Sequence, residues 1–446
     1  MRSLIASLVL LGVSGAAAAA APGGSLNIYY IDTEGGQSTL FVGPTGESLL
    51  VDTGNAGERD LSRIVETLRT AGVSRIDHMW TTHFHGDHVG AMLELAKQFP
   101  IQHFYDHGTP NAKDRIISAA FITSYTELSQ GKRSIVKPGD KVKMNGLDIT
   151  TVASANQFIR TNLTGGGRAN PFCADTKPMD EANYFDPDNG DSAGFIMGYG
   201  RFRTADLGDL TWNGEIDLMC PTNRIGTVDV YLTSHHGLEK SGSPALVHAL
   251  QPRVAVMNNG TRKGGEAGTF RVLNASPGLE DLWQLHWAYN TPLENRPATF
   301  IANIDDNATM AGVLTQPAGG PPRGAGAPGG AGGPGAPGAG GPPGAGRAGG
   351  PGGPGGPPGP GGPGAPAAAG PGAPGAGAPP GAGAPGAGAP GARGAGGFGG
   401  FGGGPGGPGG GGHTPAYLIK ISAQQDGTFT VTNTRNNFSK TYRPRQ

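Results

Sequence analysis

Beyond its first residues the chain alternates short apolar runs with amphipathic stretches, the pattern of strands followed by helices. Leu26–Asp32, Thr39–Val42 and Ser48–Asp52 read as strands, Leu61–Ala71 as a helix, and Ile76–Thr82 as another strand. Asp87–Phe99 places apolar residues at helical spacing. Strands are predicted at Asp148–Ala153, Gly194–Gly198, Phe202–Asp206, Val228–Ser234 and Val254–Met257, and helices at Ser243–Leu250 and Leu279–Leu285. Pro297–Asn303 and Tyr417–Ser422 are strand-like. Asp426-Gly427 is a tight-turn dipeptide between Tyr417–Ala423 and Thr428–Asn433, the sequence form of a β-hairpin. A lone hairpin is marginal in water, so residues 414–446 are expected to pack back on the main domain.

Composition changes this picture in two places. Ala318–His413 is almost entirely Gly, Pro and Ala, interrupted by Arg323, Arg347, Arg393, Phe398 and Phe401. It has too little apolar bulk to offset chain entropy, and disorder is expected. A collagen frame fails, because Gly does not recur at every third place; Ala367–Ala369 breaks it. At the start, Met1-Arg2, the apolar Leu4–Val13 and the small residues Ala16–Ala21 have the form of a secretory signal peptide over 1–21. Residues 22–317 are then one sizeable domain, with the tract inserted before the C-terminal hairpin. The mature protein is expected outside the cytoplasm, secreted or periplasmic, with no membrane span. In an oxidising compartment the two cysteines, Cys173 and Cys220, predict one disulfide. A net charge of −1 argues against a broad basic face, so no stable nucleic-acid complex is expected.

The chemistry concentrates in His83-Phe84-His85-Gly86-Asp87-His88. Three imidazoles and a carboxylate within six residues are the donors that divalent first-row metals prefer. The run lies in the turn between a strand and a helix. His83 and His85 therefore project from extended chain and Asp87 and His88 from a helix start, so one loop can serve two ions. Asn258–Gly265 is a Gly-rich loop carrying Arg262 and Lys263, placed after a strand and able either to hold an anion or to stay solvated. Trp212, Trp283 and His286 are cleft candidates, although tryptophans more often pack in cores. His103 and His107 read as ordinary loop histidines.

Leu49-Leu50-Val51-Asp52-Thr53-Gly54 followed by His83-x-His85-x-Asp87-His88 resembles the opening of the metallo-β-lactamase superfamily. Phe202–Leu207 and Val230–Gly237 resemble its later strands. Ile31–Ser38 and His235-His236-Gly237 with Ser241 are similar to one branch, the hydrolase-like domain of competence DNA-uptake proteins. The resemblance implies a four-layer αβ/βα sandwich with two divalent ions at one edge, Zn²⁺ first and Mn or Fe as alternatives. It implies that His83 and His85 hold the first ion and Asp87 and His88 the second. Asp206 is the expected bridge, with Asp209 close enough to take that place, and His235 completes the second site, with His236 as its alternative. Asp87 and Asp206 are thus the candidate catalytic carboxylates. Asp52 is expected to orient a ligand histidine. The superfamily's further histidine is missing, since none lies between His107 and His235. Asn189 or Asp191 is expected to replace it, making the first site harder.

Such ions would activate water for hydrolysis. The leading expectation is a phosphodiester, in a small or polymeric anionic substrate held by Arg262 and Lys263. A lactone, β-lactam or other acyl compound is the alternative, and a non-catalytic attachment module a third.

Overall fold

The computed structural model describes residues 24–180, 186–304 and 416–445. These all fall in one compact unit. The expected signal segment 1–21 and the Gly/Pro/Ala tract lie outside the described residues.

Two nine-stranded sheets form the frame. The first contains β1 (Leu26–Tyr30), β2 (Thr39–Val42), β3 (Ser48–Val51), β4 (Ile76–Trp80), β5 (Ile101–Asp106) and β6 (Arg133–Ile135). The second contains β7 (Lys141–Met144), β8 (Leu147–Ser154), β9 (Gln157–Phe158), β11 (Gly194–Tyr199), β12 (Phe202–Asp206), β14 (Val230–Leu232), β15 (Val254–Met257), β16 (Asp281–His286) and β17 (Ile301–Asn303). A separate ribbon pairs β10 (Arg168–Ala169) with β13 (Thr222–Asn223). The C-terminal strands β18 (Ile419–Ala423), β19 (Phe429–Asn433) and β20 (Ser439–Tyr442) extend the first sheet. β18 runs antiparallel to β1, with Ile28 opposite Ile421.

Side-chain alternation explains the layering. β1, β18 and β19 bury every second residue, which turns Ile28, Ile421 and Val431 inward. These pack with Trp80, Phe195, Val230 and Trp283 in a core built from both sheets. The helix α1 (Glu58–Thr70) presents Leu61, Ile64, Val65 and Leu68, an i, i+3, i+4, i+7 stripe, to the outer face of the first sheet. α3 (Met92–Gln98) and α4 (Ala119–Ser129) cover the same face. The single turn α5 (Pro187–Gly190) carries Asn189, and α6 (Trp212–Met219), α7 (Pro244–Leu250) and α8 (Ala267–Asn274) cover the second sheet. The order helix, sheet, sheet, helix is the expected αβ/βα sandwich.

Two predicted helices differ. Leu279–Leu285 is strand: β16 lies parallel between β15 and β17. A short apolar run buried on both faces carries the same spacing as a helix stripe and cannot be told from it by periodicity. The predicted Asp87–Phe99 helix is two pieces, α2 (Gly86–Val89) and α3. Gly90 sits between them where a Cβ would fall 2.1 Å from the Ala56 nitrogen, so only glycine allows that approach.

Strands β3 to β6 are parallel, as are β12, β14, β15, β16 and β17. The loops at their carboxyl ends carry Asp52, His83, Asp209, His235 and Asn258. Cys173 and Cys220 are joined, tying the turn Pro171–Cys173 to the end of α6.

The disulfide closes a separation of 47 residues. Restriction of the unfolded chain predicts stabilisation of up to about 4 kcal/mol. Urea unfolding of Cys173→Ser/Cys220→Ser should show a midpoint shift of that order; an unchanged midpoint would mean that the loop is held without it.

Candidate metal centre

The run that begins after β4 is extended through His85, whose φ/ψ of −68/150 caps α2. Asp87 and His88 then belong to the first helical turn. Asp52 fixes this loop from below. It sits just past β3 with φ 57 and accepts hydrogen bonds from the Thr82 backbone N–H (2.8 Å) and hydroxyl (2.6 Å). Its Oδ2 lies 2.7 Å from His88 Nδ1. Burial pushes the Asp52 carboxyl up, while the His88 ring opposes that shift. The bond fixes the His88 tautomer and turns Nε2 toward the centre.

There Asp87, His88, Asp209 and His236 converge, with one donor atom each within 4.8 Å of the others. His88 Nε2 is 3.5 Å from Asp87 Oδ2, 3.2 Å from Asp209 Oδ2 and 3.3 Å from His236 Nε2. His236 Nε2 is 3.2 Å from Asp87 Oδ2 and 3.3 Å from Asp209 Oδ2. A tetrahedral site with bonds of about 2.0–2.1 Å has edges of about 3.3–3.4 Å, so the quartet has the size of a zinc-type site. Among the described residues, His83 Nε2, Asn189 Oδ1 and Asp209 Oδ1 are buried without a hydrogen-bond partner. Buried polar atoms left open beside such a cluster are what a cation would satisfy. The residues therefore fit a divalent metal.

The field of the site is strong. Burial raises Asp209, but the His236, His88 and His235 rings outweigh it and hold the carboxyl well below the usual range. Burial also opposes the ionisation of Asp87, which Lys263 and His88 overcome. Burial, with the neighbouring His88 and His85, holds His83 well below the ordinary imidazole value. His235 is pushed down to about 3, chiefly by burial. Both rings are thus neutral, as metal ligation requires.

The expected bridge and the expected last histidine are both displaced. Asp206, at the end of β12, accepts from Gln37 Nε2 (3.1 and 3.2 Å) and from the Gly208 N–H. Burial, with the charge of Asp52, raises its carboxyl to about 7. Three residues later the turn carries Asp209 into the cluster instead. His236 rather than His235 joins the quartet, because β14 ends at Leu232 and the chain coils through a 3₁₀ turn at Ser234–Gly237. Strand alternation does not apply there.

The other candidates divide. His85 Nε2 is held by Asp114 at 2.8 Å, which leaves Nδ1 as its nitrogen for a metal. Asn189 lies beside His235, Nδ2 to Nε2 at 3.2 Å. Asp191 turns away and accepts from Asn111 Nδ2. Lys263 Nζ pairs with Asp87 Oδ2, and Arg262 holds Asn290 through its carbonyl. Trp283 is core, donating to the Tyr442 hydroxyl. His286 Nε2 lies 2.6 Å from Asp32 Oδ1. Trp212 lines a cavity of about 250 Å³ with Asn111, Lys240 and Asp186, whose carboxylate is 3.9 Å from His85. Sequence alone did not point to Thr82 or Asp114, and Gln37 was legible only as part of the Ile31–Ser38 motif. Asn258 was legible only as part of a loop; its amide lies 3.2 Å from His236 Nδ1.

The sequence profile of the Metallo-beta-lactamase superfamily matches residues 32–115, which contain the His83–His88 run. An atrochrysone carboxyl ACP thioesterase of Pseudocercospora fijiensis is 36% identical over 80 residues, 18% of this chain and 23% of its own. A lactamase-like protein of Neosartorya fischeri is 33% identical over 109 residues, 24% of this chain and 32% of its own. The chain thus spans less than a third of the length of these relatives. The solved metallo-beta-lactamase fold protein YhfI of Bacillus subtilis is 12% identical, with 58% of this chain and 96% of that one covered at a TM-score of 0.37. Sandwich and loop together give the chain a metallo-β-lactamase-like fold, with the superfamily profile matched over the segment that holds the His83–His88 run.

Elemental analysis of purified variants checks the ligand set. Asp209→Asn and His236→Ala should each lose most bound metal, whereas Asp206→Asn should keep it. Loss in Asp206→Asn with retention in Asp209→Asn would restore the bridge expected from sequence.

Proposed function

We propose that the chain is an exported hydrolase of an acyl compound, a thioester, ester or lactone, rather than of a phosphodiester. The observation that carries this is the engagement of Lys263. Its ammonium is drawn onto Asp87, a member of the quartet, and so is not a free anion receptor at the mouth. The cavity beside His85 agrees, since its lining has three carboxylates, Asp186, Asp191 and Asp217, against two ammonium groups, Lys113 and Lys240. That balance disfavours a polyanionic strand. The names of the partial relatives, thioesterase and lactamase-like, point the same way. Export is supported by the signal-like start and the Cys173–Cys220 bond. No helix among the described residues is long and apolar enough to cross a membrane.

Asp87, His88, Asp209 and His236 would hold a divalent ion, which when bound would supply a water activated near neutral pH and a positive charge for the acyl oxygen. The protein's own part is orientation. Asp52 and Thr82 hold His88; Asp114 holds His85; Asn258 meets His236. Were His236 Nε2 to hold a metal, the ring would donate from Nδ1, and turning the Asn258 amide would bring its buried, open Oδ1 to accept that proton. Asp186, between His85 and Lys240, borders the cavity and sets the polarity met by the departing group.

The likeness to DNA-uptake hydrolase domains in His235-His236-Gly237 and Ser241 keeps the phosphodiester as the competing substrate. Steady-state assays on an acyl N-acetylcysteamine thioester and on bis-p-nitrophenyl phosphate separate the two. The thioester should be favoured in kcat/KM by about a hundredfold, near 2.7 kcal/mol. Arg262→Ala/Lys263→Ala should alter both substrates by similar factors. Preference for the phosphodiester, with a loss confined to it in that variant, would contradict the acyl assignment.

A further inference from the structure

His235 and His236 both occupy the left-handed region, at φ/ψ 53/41 and 57/14, and Gly237 follows at φ 82. For residues other than glycine that conformation is strained and persists where the surroundings enforce it. Here the enforcement is visible. Gly264, itself at φ 74, lies so close to the His236 carbonyl that a Cβ would fall 2.0 Å from the oxygen. Gly265 N–H donates to that same carbonyl at 3.1 Å.

The coil achieves what a strand cannot. Adjacent residues of a strand face opposite ways, yet these two imidazoles meet one oxygen. His235 Nε2 lies 3.4 Å and His236 Nε2 3.3 Å from Asp209 Oδ2. The quartet already takes four donors without His235. Around His235 stand donors that the quartet leaves unused. His83 Nε2 is 4.0 Å from Asp209 Oδ2. It is buried without a hydrogen-bond partner, as are Asn189 Oδ1 and Asp209 Oδ1. The Asn189 amide faces His235 Nε2 through its nitrogen; turning it presents Oδ1 in the same place. Ser241 Oγ, 3.4 Å from His235 Nδ1, is positioned to take the proton of that nitrogen when Nε2 is ligated.

We propose that the two consecutive histidines serve different ions, His236 the quartet and His235 a second position with His83, Asn189 Oδ1 and the shared Asp209. His235 thereby takes the place of the imidazole missing between His107 and His235. The two positions are unequal. The quartet has two imidazoles and two carboxylates, whereas the second has two imidazoles, a neutral amide and only a share in Asp209. The second ion is therefore held more weakly, and its occupancy follows the free metal concentration. This rests on the metal-centre assignment, not on the acyl substrate, and its test reads binding rather than turnover.

Metal-depleted full-length protein is titrated with Zn²⁺ by calorimetry and equilibrium dialysis with elemental analysis. Two steps are expected, the second weaker by about tenfold or more. His235→Ala should keep the tight step and lose the weak one; His236→Ala should lose the tight step. Should His235→Ala fold poorly, His235→Gly relieves the left-handed backbone while still removing the ring, and must give the same binding result. Asn189→Asp, which adds a charge at the second position alone, should tighten the weak step. Loss of the tight step in His235→Ala or His235→Gly, two unchanged steps in them, or a single step in the wild type would each overturn the proposal.

Discussion

One carboxylate oxygen organises this centre. Asp209 Oδ2 lies 3.2 Å from His88, 3.3 Å from His236, 3.4 Å from His235 and 4.0 Å from His83, measured to Nε2 in each ring. An anion buried to this degree is costly unless cations or donors surround it. The four rings reach it from two loops on different sheets, one after β4 and one after β14, and Asp209 itself follows β12. The charge balance at a single atom thus sets how the carboxyl ends of the two sheets must meet. The Asp52 network serves the same end from below, since it fixes the ring that makes the shortest of the four contacts.

Much of this arrangement was legible in the chain. Strand and helix periods gave most of the first sheet, and the His83–His88 run announced metal chemistry because few structural roles need that donor density. The hidden parts share a cause, which is geometry that local pattern does not encode. Asp206 and Asp209 are equally acidic and three residues apart; which one enters depends on how sharply the turn after β12 closes at Gly208. His235 and His236 were alternatives for one position, at the end of a strand predicted over Val228–Ser234. The chain instead leaves the strand two residues earlier and coils through three left-handed residues. β16 was misread for the complementary reason: buried on both faces, it loses the alternation by which strands are recognised. Asp114 and Gln37 lie far in sequence from the groups they hold, 29 and 169 residues away, so local pattern does not pair them.

The same geometry separates what the fold fixes from what it leaves open. The sandwich brings the donors together, but substrate choice belongs to the loops around them. Here the basic loop after β15 turns one of its two cations inward to Asp87, while the cavity on the α6 side is bordered by Asp186 and Lys240. The proposed preference for an uncharged acyl bond over a polyanion rests on this pairing of Lys263 with Asp87.

Anomalous diffraction from crystals grown with Zn²⁺ tests the central assignment most directly. A peak should lie about 2.0–2.2 Å from Asp87, His88, Asp209 and His236 donor atoms, with Asp206 left on Gln37. A peak ligated by Asp206 in place of Asp209, or none within the quartet of an otherwise intact sandwich, would contradict it.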